Sequence, residues 1–249
     1  MTLILRRFLI AVQFLTRLPV PRRLVTTDKE LGHAAGFFPL VGVVVGGAAA
    51  AVFVLTKLVA PLPVAVVLTL AFAAFITSGF HEDGLADTFD GLGGGWTRDR
   101  ALAIMRDSRI GTYGALALIF LILGKYTFLT ALEPDQVWRW LLVAHTASRW
   151  TILPLCRWLP YARAEGQGKL VARQITGSSV LTGSAAFLFL LSLLSWPSAL
   201  LTIAVTVLVV IFSGLYFKRK LGGITGDCLG AVNQITEVVL YLIAVLLAR

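Results

Sequence analysis

The chain has 249 residues and a net charge of +9, and 57% of its residues are hydrophobic while only 14% are charged. Soluble domains carry nearer a quarter charged residues, so a mean hydropathy of +0.85 argues against a soluble protein and predicts lipid as the main solvent. The positive charge does not indicate nucleic-acid binding, because excess Lys and Arg in cytoplasmic loops explains it. Cys156 and Cys228 lie far apart, without the spacing of a disulfide framework or a zinc site.

The first 18 residues predict an amphipathic helix rather than a cleavable signal peptide. Arg6, Gln13 and Arg17 are spaced to share one side of an otherwise apolar helix. This pattern favours a helix that lies at the membrane interface or dips into it. An ordinary first membrane span remains an open alternative.

Apolar runs long enough to cross a bilayer follow along the whole chain. Because backbone groups in lipid must be bonded internally, unbroken runs of this length predict helices. The sequence therefore predicts an all-α, polytopic membrane bundle that forms one domain over residues 1–249. Its seven predicted spans are residues 37–59, 61–80, 110–132, 140–156, 179–196, 198–217 and 230–247.

Basic residues are distributed unequally between the two sides of this predicted bundle. One set of loops, residues 1–36, 81–109, 157–178 and 218–229, contains 17 of the 22 Lys and Arg, and only three lie near the opposite boundary. Lys and Arg accumulate in cytoplasmic loops. We therefore predict that this set faces the cytoplasm from a bacterial inner membrane.

The second predicted span runs into an acidic motif at residues 81–91. If the helix continues, Asp83, Asp87 and Asp90 lie at i, i+4 and i+7 and share one face. Three carboxylates so close together repel one another unless a cation lies between them, and oxygen ligands favour magnesium. The alternative is a solvated helix end with surface salt bridges. It is less attractive because four of the 13 acidic residues lie within nine positions.

Arg106 and Arg109 follow on the same predicted side of the membrane. Guanidinium groups there could bind a diphosphate through paired hydrogen bonds. Anchoring of a cytoplasmic loop by positive charge explains either residue equally well.

Six segments spread along nearly the whole chain carry recognisable motifs: residues 14–21, 38–42, 79–91, 104–112, 161–163 with Gly166 and Gly168, and 222–231. Two of them pair Asp-Gly-Leu-Ala-Asp-Thr-x-Asp-Gly with a late Thr-Gly-Asp-x-Leu-Gly-Ala. Together the segments resemble the adenosylcobinamide-GDP ribazoletransferase, or cobalamin synthase, family, and the pairing of these two motifs is specific to it.

The resemblance implies a magnesium-dependent transferase with two small-molecule substrates. Adenosylcobinamide-GDP would donate its cobinamide-phosphoryl group to the ribose 3′-hydroxyl of α-ribazole or its 5′-phosphate, and GMP would leave. Phosphoryl-type transfer depends on positioned metal and basic groups more than on covalent chemistry. The sequence leaves open whether the protein forms a homo-oligomer.

The resemblance also implies the site residues. Asp83, Asp87 and Asp90 match metal ligands, and Asp227 is a candidate fourth acid. The candidates for substrate binding are Arg106, Asp107, Arg109, Arg163, Lys169, Thr225 and Gly226. The backbone N–H groups at the start of the last span suit an anion, although Asp227 could equally be a helix cap.

The chain departs from the family pattern at Gln234, where many members have Glu. Since Gln cannot act as a base, Glu237 or Asp107 would have to accept the proton, or the metal would have to lower the pKa of the alcohol unaided. Glu237 lies inside a predicted span, where an acid is costly and usually functional.

Two other functions fit parts of the sequence. A CDP-alcohol phosphotransferase also has an Asp-rich membrane helix, but its pattern has Arg where this chain has Asp87. A transporter could use Lys125, His145 and Arg149, which fall inside predicted spans. Most ionisable residues lie in loops on one side, however, which suits a surface-accessible active site better.

Overall fold

The computed structural model describes residues 2–21, 24, 27–163 and 174–248. Within these ranges the chain is helical, with one isolated bridge between Tyr161 and Ile224 in place of a sheet. The helices are α1 (Leu3–Leu15), α2 (Asp28–Ala34), α3 (Phe38–Lys57), α4 (Leu62–Ile76), α5 (Phe80–Gly94), α6 (Arg98–Ile104), α7 (Thr112–Thr130), α8 (Pro134–Trp150), α9 (Ile152–Trp158), α10 (Gly177–Leu190), α11 (Trp196–Leu221) and α12 (Gly226–Leu247). Short 3-10 turns at Ala35–Phe37 and Leu191–Leu193 follow α2 and α10.

The predicted all-α membrane class is confirmed, but the count of seven spans is not. Four helical stretches in the described ranges are long and apolar enough to cross a bilayer: Glu30–Lys57, Thr112–Thr130, Trp196–Leu221 and Gly226–Leu247. The bent pair α4 and α5 makes a fifth if it is counted as one crossing. Helix α8 falls outside this set because it is short and buries His145 and Arg149 among other helices.

The predicted second span ends earlier than expected, at a sharp bend before the acidic motif. Ser78 and Gly79 both adopt left-handed backbone angles, with φ of 61° and 65°, and α5 leaves at 87° to α4. Arg17 braces the bend: its backbone N–H donates to the Ile76 carbonyl at 2.8 Å and its Nε donates to Ser78 Oγ at 2.5 Å. The acidic motif therefore lies on a separate helix rather than on a continuation of the span.

Helix α1 is shorter than the amphipathic helix predicted for the N-terminus. Its 13 residues extend about 20 Å at the usual helical rise, which is less than a bilayer core. It buries Ile10 and Leu15 against the bundle and leaves Leu3 and Ile4 exposed. Because the helix ends at Leu15, Arg17 does not belong to the predicted polar stripe.

Helices α5 and α12 pack backbone against backbone at a pair of glycines. A Cβ atom added at Gly84 would lie 2.9 Å from the Asp227 carbonyl oxygen and 3.2 Å from the Gly230 Cα. The absence of a side chain therefore allows the acidic helix to approach the start of α12 closely. This crossing positions the candidate site.

We expect Gly84→Ala to destabilise the protein by about 1–3 kcal/mol, the usual cost of overpacking a tight contact. Gly47→Ala is the matched control, because the nearest atom to its Cβ is a Leu142 methyl group at an ordinary 3.7 Å. That change should be neutral or stabilising, since Ala is the better helix former by about 1 kcal/mol. Thermal unfolding in detergent measures both, and equal midpoints for the two variants would contradict the close crossing.

Candidate active site

Two of the acidic residues face a common cavity at the α4–α5 bend. Asp83 and Asp87, one turn apart on α5, line a space of about 570 Å³. Ser108 and Ile110 of the loop before α7 and Leu118 of α7 also line it. Asp83 is exposed and Asp87 is half-buried, so both carboxylates can contact a ligand in this cavity.

The third acid of the motif binds the backbone rather than this cavity. The two carboxylate oxygens of Asp90 accept hydrogen bonds from the N–H groups of Gly111, at 2.7 Å, and Gly114, at 2.9 Å. Asp90 is only 8% exposed. It therefore ties α5 to the start of α7 and holds the loop that carries Arg106 to Arg109 beside the cavity.

Asp227 lies at the crossing of α5 and α12, next to the acidic helix. Its carboxylate forms a 2.6 Å ion pair with Arg163 Nη2 and accepts from Thr225 Oγ1 at 3.3 Å. Electrostatic repulsion from Asp83 and Asp227 acts on Asp87, and attraction to Arg163 offsets part of it. The late motif and the early motif therefore contribute to one charged site.

The start of α12 is capped by neighbouring groups. Thr225 is the N-cap, because its hydroxyl accepts from the Cys228 N–H at 3.2 Å, so Asp227 does not serve as the cap. The Gly226 N–H donates to the Tyr161 hydroxyl at 3.4 Å, and burial raises the pKa of that tyrosine. Two of the N–H groups expected to bind an anion are thus already engaged by the protein.

Sequence reasoning missed the residues that join the Tyr161–Arg163 segment to this region. The Ile224 N–H donates to the Pro160 carbonyl at 2.9 Å, and the Ala162 N–H donates to the Ile224 carbonyl at 2.7 Å. Arg98 donates to the carbonyls of Leu221 and Ala162, both at 2.8 Å. Gly223 is a sequence signal for this approach, because a Cβ atom there would clash with the Pro160 carbonyl oxygen.

The remaining basic candidates occupy different environments. Arg106 is exposed in the loop beside the cavity. Arg109 forms a 2.6 Å ion pair with Asp107, and this contact lowers the pKa of Asp107 to about 2. A carboxylate so acidic is a poor proton acceptor near neutral pH. Lys169 lies outside the described residues.

Glu237 is buried at the centre of the bundle and does not line the cavity of Asp83 and Asp87. It lies ten residues beyond Asp227 on α12, about 15 Å along the helix axis. The Glu237 carboxylate lies 2.6 Å from Lys125 Nζ and 2.8 Å from His145 Nδ1. Lys125 Nζ also donates a hydrogen bond to Gln234 Oε1 at 2.5 Å. With 1% exposure and these partners, Glu237 links α7, α8 and α12.

The residues at the cavity fit a magnesium ion that also binds substrate. Within the described ranges, no group of three His, Cys, Asp or Glu side chains forms a ready-made metal site. Magnesium usually binds through one or two carboxylates together with waters and substrate phosphates. Asp83 and Asp87 provide two such carboxylates, and the cavity beside them leaves room for phosphate.

Comparison with known proteins identifies relatives along almost the full length of the chain. The chain is 41% identical over 243 residues to the adenosylcobinamide-GDP ribazoletransferase of Vibrio cholerae, covering 96% of this chain and 93% of the relative. The enzyme of the same name from Shewanella amazonensis is 41% identical over 249 residues, covering 98% and 96%. No solved structure matches the chain. Since the model of the cobalamin-5-phosphate synthase (CobS) family matches residues 7–245, the chain belongs to that family.

Proposed function

We propose that the protein is an adenosylcobinamide-GDP ribazoletransferase that acts late in cobalamin synthesis. The family match supports this activity, and the observation that carries it structurally is the crossing of the two family motifs at Gly84 and Asp227. In the reaction, the ribose 3′-hydroxyl of α-ribazole, or of its 5′-phosphate, forms a bond to the phosphorus that carries cobinamide. The bond between that phosphorus and the bridging oxygen breaks, GMP leaves, and the hydroxyl loses its proton.

The residues around the cavity suit this transfer. Magnesium, held by Asp83 and Asp87, would neutralise the diphosphate and lower the pKa of the attacking hydroxyl. Asp227 packs against the acidic helix at Gly84 and forms an ion pair with Arg163. Arg163 can exchange this partner for a substrate phosphate, because guanidinium groups bind both carboxylate and phosphate.

Release of GMP tests the proposal. Purified protein in detergent should convert adenosylcobinamide-GDP and α-ribazole to GMP and the joined corrinoid only when magnesium is present. Chelation by EDTA should stop turnover, and added magnesium should restore it. A protein that releases no GMP with these substrates, but does release CMP from a CDP-alcohol, would belong to the rival phosphotransferase class. A transporter would show neither reaction, because transport breaks no covalent bond in its substrate.

We also propose that the protein resides in the bacterial inner membrane with the active site facing the cytoplasm. The concentration of Lys and Arg on the side of the acidic motif supports this orientation. A cysteine at Ser108, beside Asp83 and Asp87, should resist a membrane-impermeant thiol reagent in intact cells and react after lysis. Glu133→Cys, in the exposed turn before α8, should react in intact cells. The native Cys156 and Cys228 are buried, and external labelling of Ser108→Cys would reverse the orientation.

A further inference from the structure

A second cavity lies deeper in the bundle, between α4 and α7. It encloses about 470 Å³, and its walls are apolar side chains such as Val67, Ala71 and Ala74 on α4 and Leu121 and Ile122 on α7. Val67 and Ile122 are 52% and 56% exposed, so the cavity opens on the apolar flank of the protein. A ligand there would keep part of its surface in contact with lipid.

The inner end of this cavity is polar and has unused hydrogen-bonding capacity. Four of its polar side chains bond one another: Lys125, His145, Gln234 and Glu237. Two further polar atoms of the lining, Arg149 Nε and Glu82 Oε2, are buried and have no hydrogen-bond partner among the described residues. Arg149 is 1% exposed and interacts electrostatically with Glu82. A buried donor and a buried acceptor left unpaired are costly, so the pair favours a ligand that satisfies both.

The two cavities are lined by neighbouring residues of α7 and of the α4–α5 bend. The cavity of Asp83 and Asp87 is lined by Ser78 of the bend and Leu118 of α7. The deeper cavity is lined by the adjacent Thr77 and by Leu121, about one turn further along α7. The two linings are therefore close enough for one molecule to reach from Asp83 to the deeper cavity.

We infer that the deeper cavity binds an amide-bearing edge of the corrinoid half of the donor substrate. An amide offers an N–H to Glu82 Oε2 and a carbonyl oxygen to Arg149 Nε, which matches both unpaired atoms, and cobinamide is a corrinoid with amide side chains. The apolar walls accommodate the hydrocarbon parts of that edge. This inference rests on the proposed function, because it assigns the half of the same substrate that lies away from the diphosphate.

The volume of the cavity limits what enters it. At about 470 Å³, it lies within the range of small-molecule sites but is too small for a whole corrinoid. One edge of the ring system occupies the cavity, and the rest extends toward the phosphates beside Asp83. The deeper cavity therefore selects for the corrinoid, while Asp83 and Asp87 act on the phosphates.

Filling the cavity tests this assignment. Ala74→Phe should weaken the binding of cobinamide, measured by equilibrium dialysis, at least about 10-fold, since it blocks two hydrogen bonds to charged groups. It should raise the KM for adenosylcobinamide-GDP similarly and leave the KM for α-ribazole unchanged. Ala71→Phe, at the exposed mouth, gives the same test without altering a packed position. Leu68→Phe is the matched control, because this exposed α4 residue does not line the cavity.

Each result decides one question. If both cavity variants bind cobinamide as well as the Leu68→Phe control, the corrinoid binds elsewhere and the inference is wrong. Cobinamide lacks the diphosphate and the nucleotide, so its binding is measured independently of turnover. Failure of the unaltered protein to release GMP would instead refute the proposed function.

Discussion

Replacing Asp87 with Asn should reduce turnover on the order of 10²- to 10³-fold, the loss typical of removing one preorganised electrostatic group from a transfer reaction. Asn keeps the shape of the side chain but removes the charge that would hold magnesium beside the substrate phosphates. Asp83→Asn should have a similar effect, because both carboxylates line the same cavity. The measurement is GMP release per folded molecule over a magnesium series.

Two controls make this prediction specific. Asp135→Asn alters an exposed acid at the start of α8, outside the cavity, and should leave turnover unchanged. Raising the magnesium concentration should recover part of the activity of Asp87→Asn if the remaining carboxylate still binds the ion. Near-normal rates from folded Asp87→Asn protein at low magnesium would exclude these carboxylates as the metal ligands.

The second large effect concerns stability and the buried acid of α12. Glu237→Gln should destabilise the protein by about 3–5 kcal/mol, the cost of removing one partner from a buried ion pair. The change leaves Lys125 and Arg149 in the interior without the carboxylate that they share. Lys125→Met should cost less, because Glu237 keeps His145, Ser148 and Arg149 as partners.

Combining the two changes separates a structural role from catalysis. Adding Lys125→Met to Glu237→Gln removes one uncompensated cation and should recover part of the lost stability, as measured by thermal unfolding in detergent. Turnover per folded molecule at saturating adenosylcobinamide-GDP should then be close to that of the unaltered protein, although the KM can rise because both residues line the deeper cavity. A Glu237→Gln variant that is fully stable but inactive would instead identify Glu237 as the base that accepts the acceptor's proton.

The membrane class, the family and the acidic motif could all be predicted from the sequence. Length and hydropathy require helices in lipid, and the spacing of Asp83 and Asp87 places them on one face of any helix that contains them. Hydropathy could not decide the number of crossings. The predicted span at residues 140–156 falls on α8, where His145 and Arg149 are stabilised by other helices rather than by lipid. Helical periodicity likewise could not show that the helix breaks at Ser78 and Gly79, although a Ser-Gly pair is a turn signal.

The roles of individual acids depend on contacts between residues that are distant in the chain. Asp90 shares the spacing of Asp83 and Asp87, yet its oxygens accept from Gly111 and Gly114, more than twenty residues later. The sequence predicts that Glu237 is functional, because it is an acid inside a predicted span. In the structure, Lys125 and other cationic partners surround it and neutralise its charge. The sequence by itself determined that this is a membrane enzyme of a known family with an oxygen-rich site. Only the tertiary structure decided which carboxylates remain available to a ligand, because a carboxylate's role depends on the donors that packing places beside it.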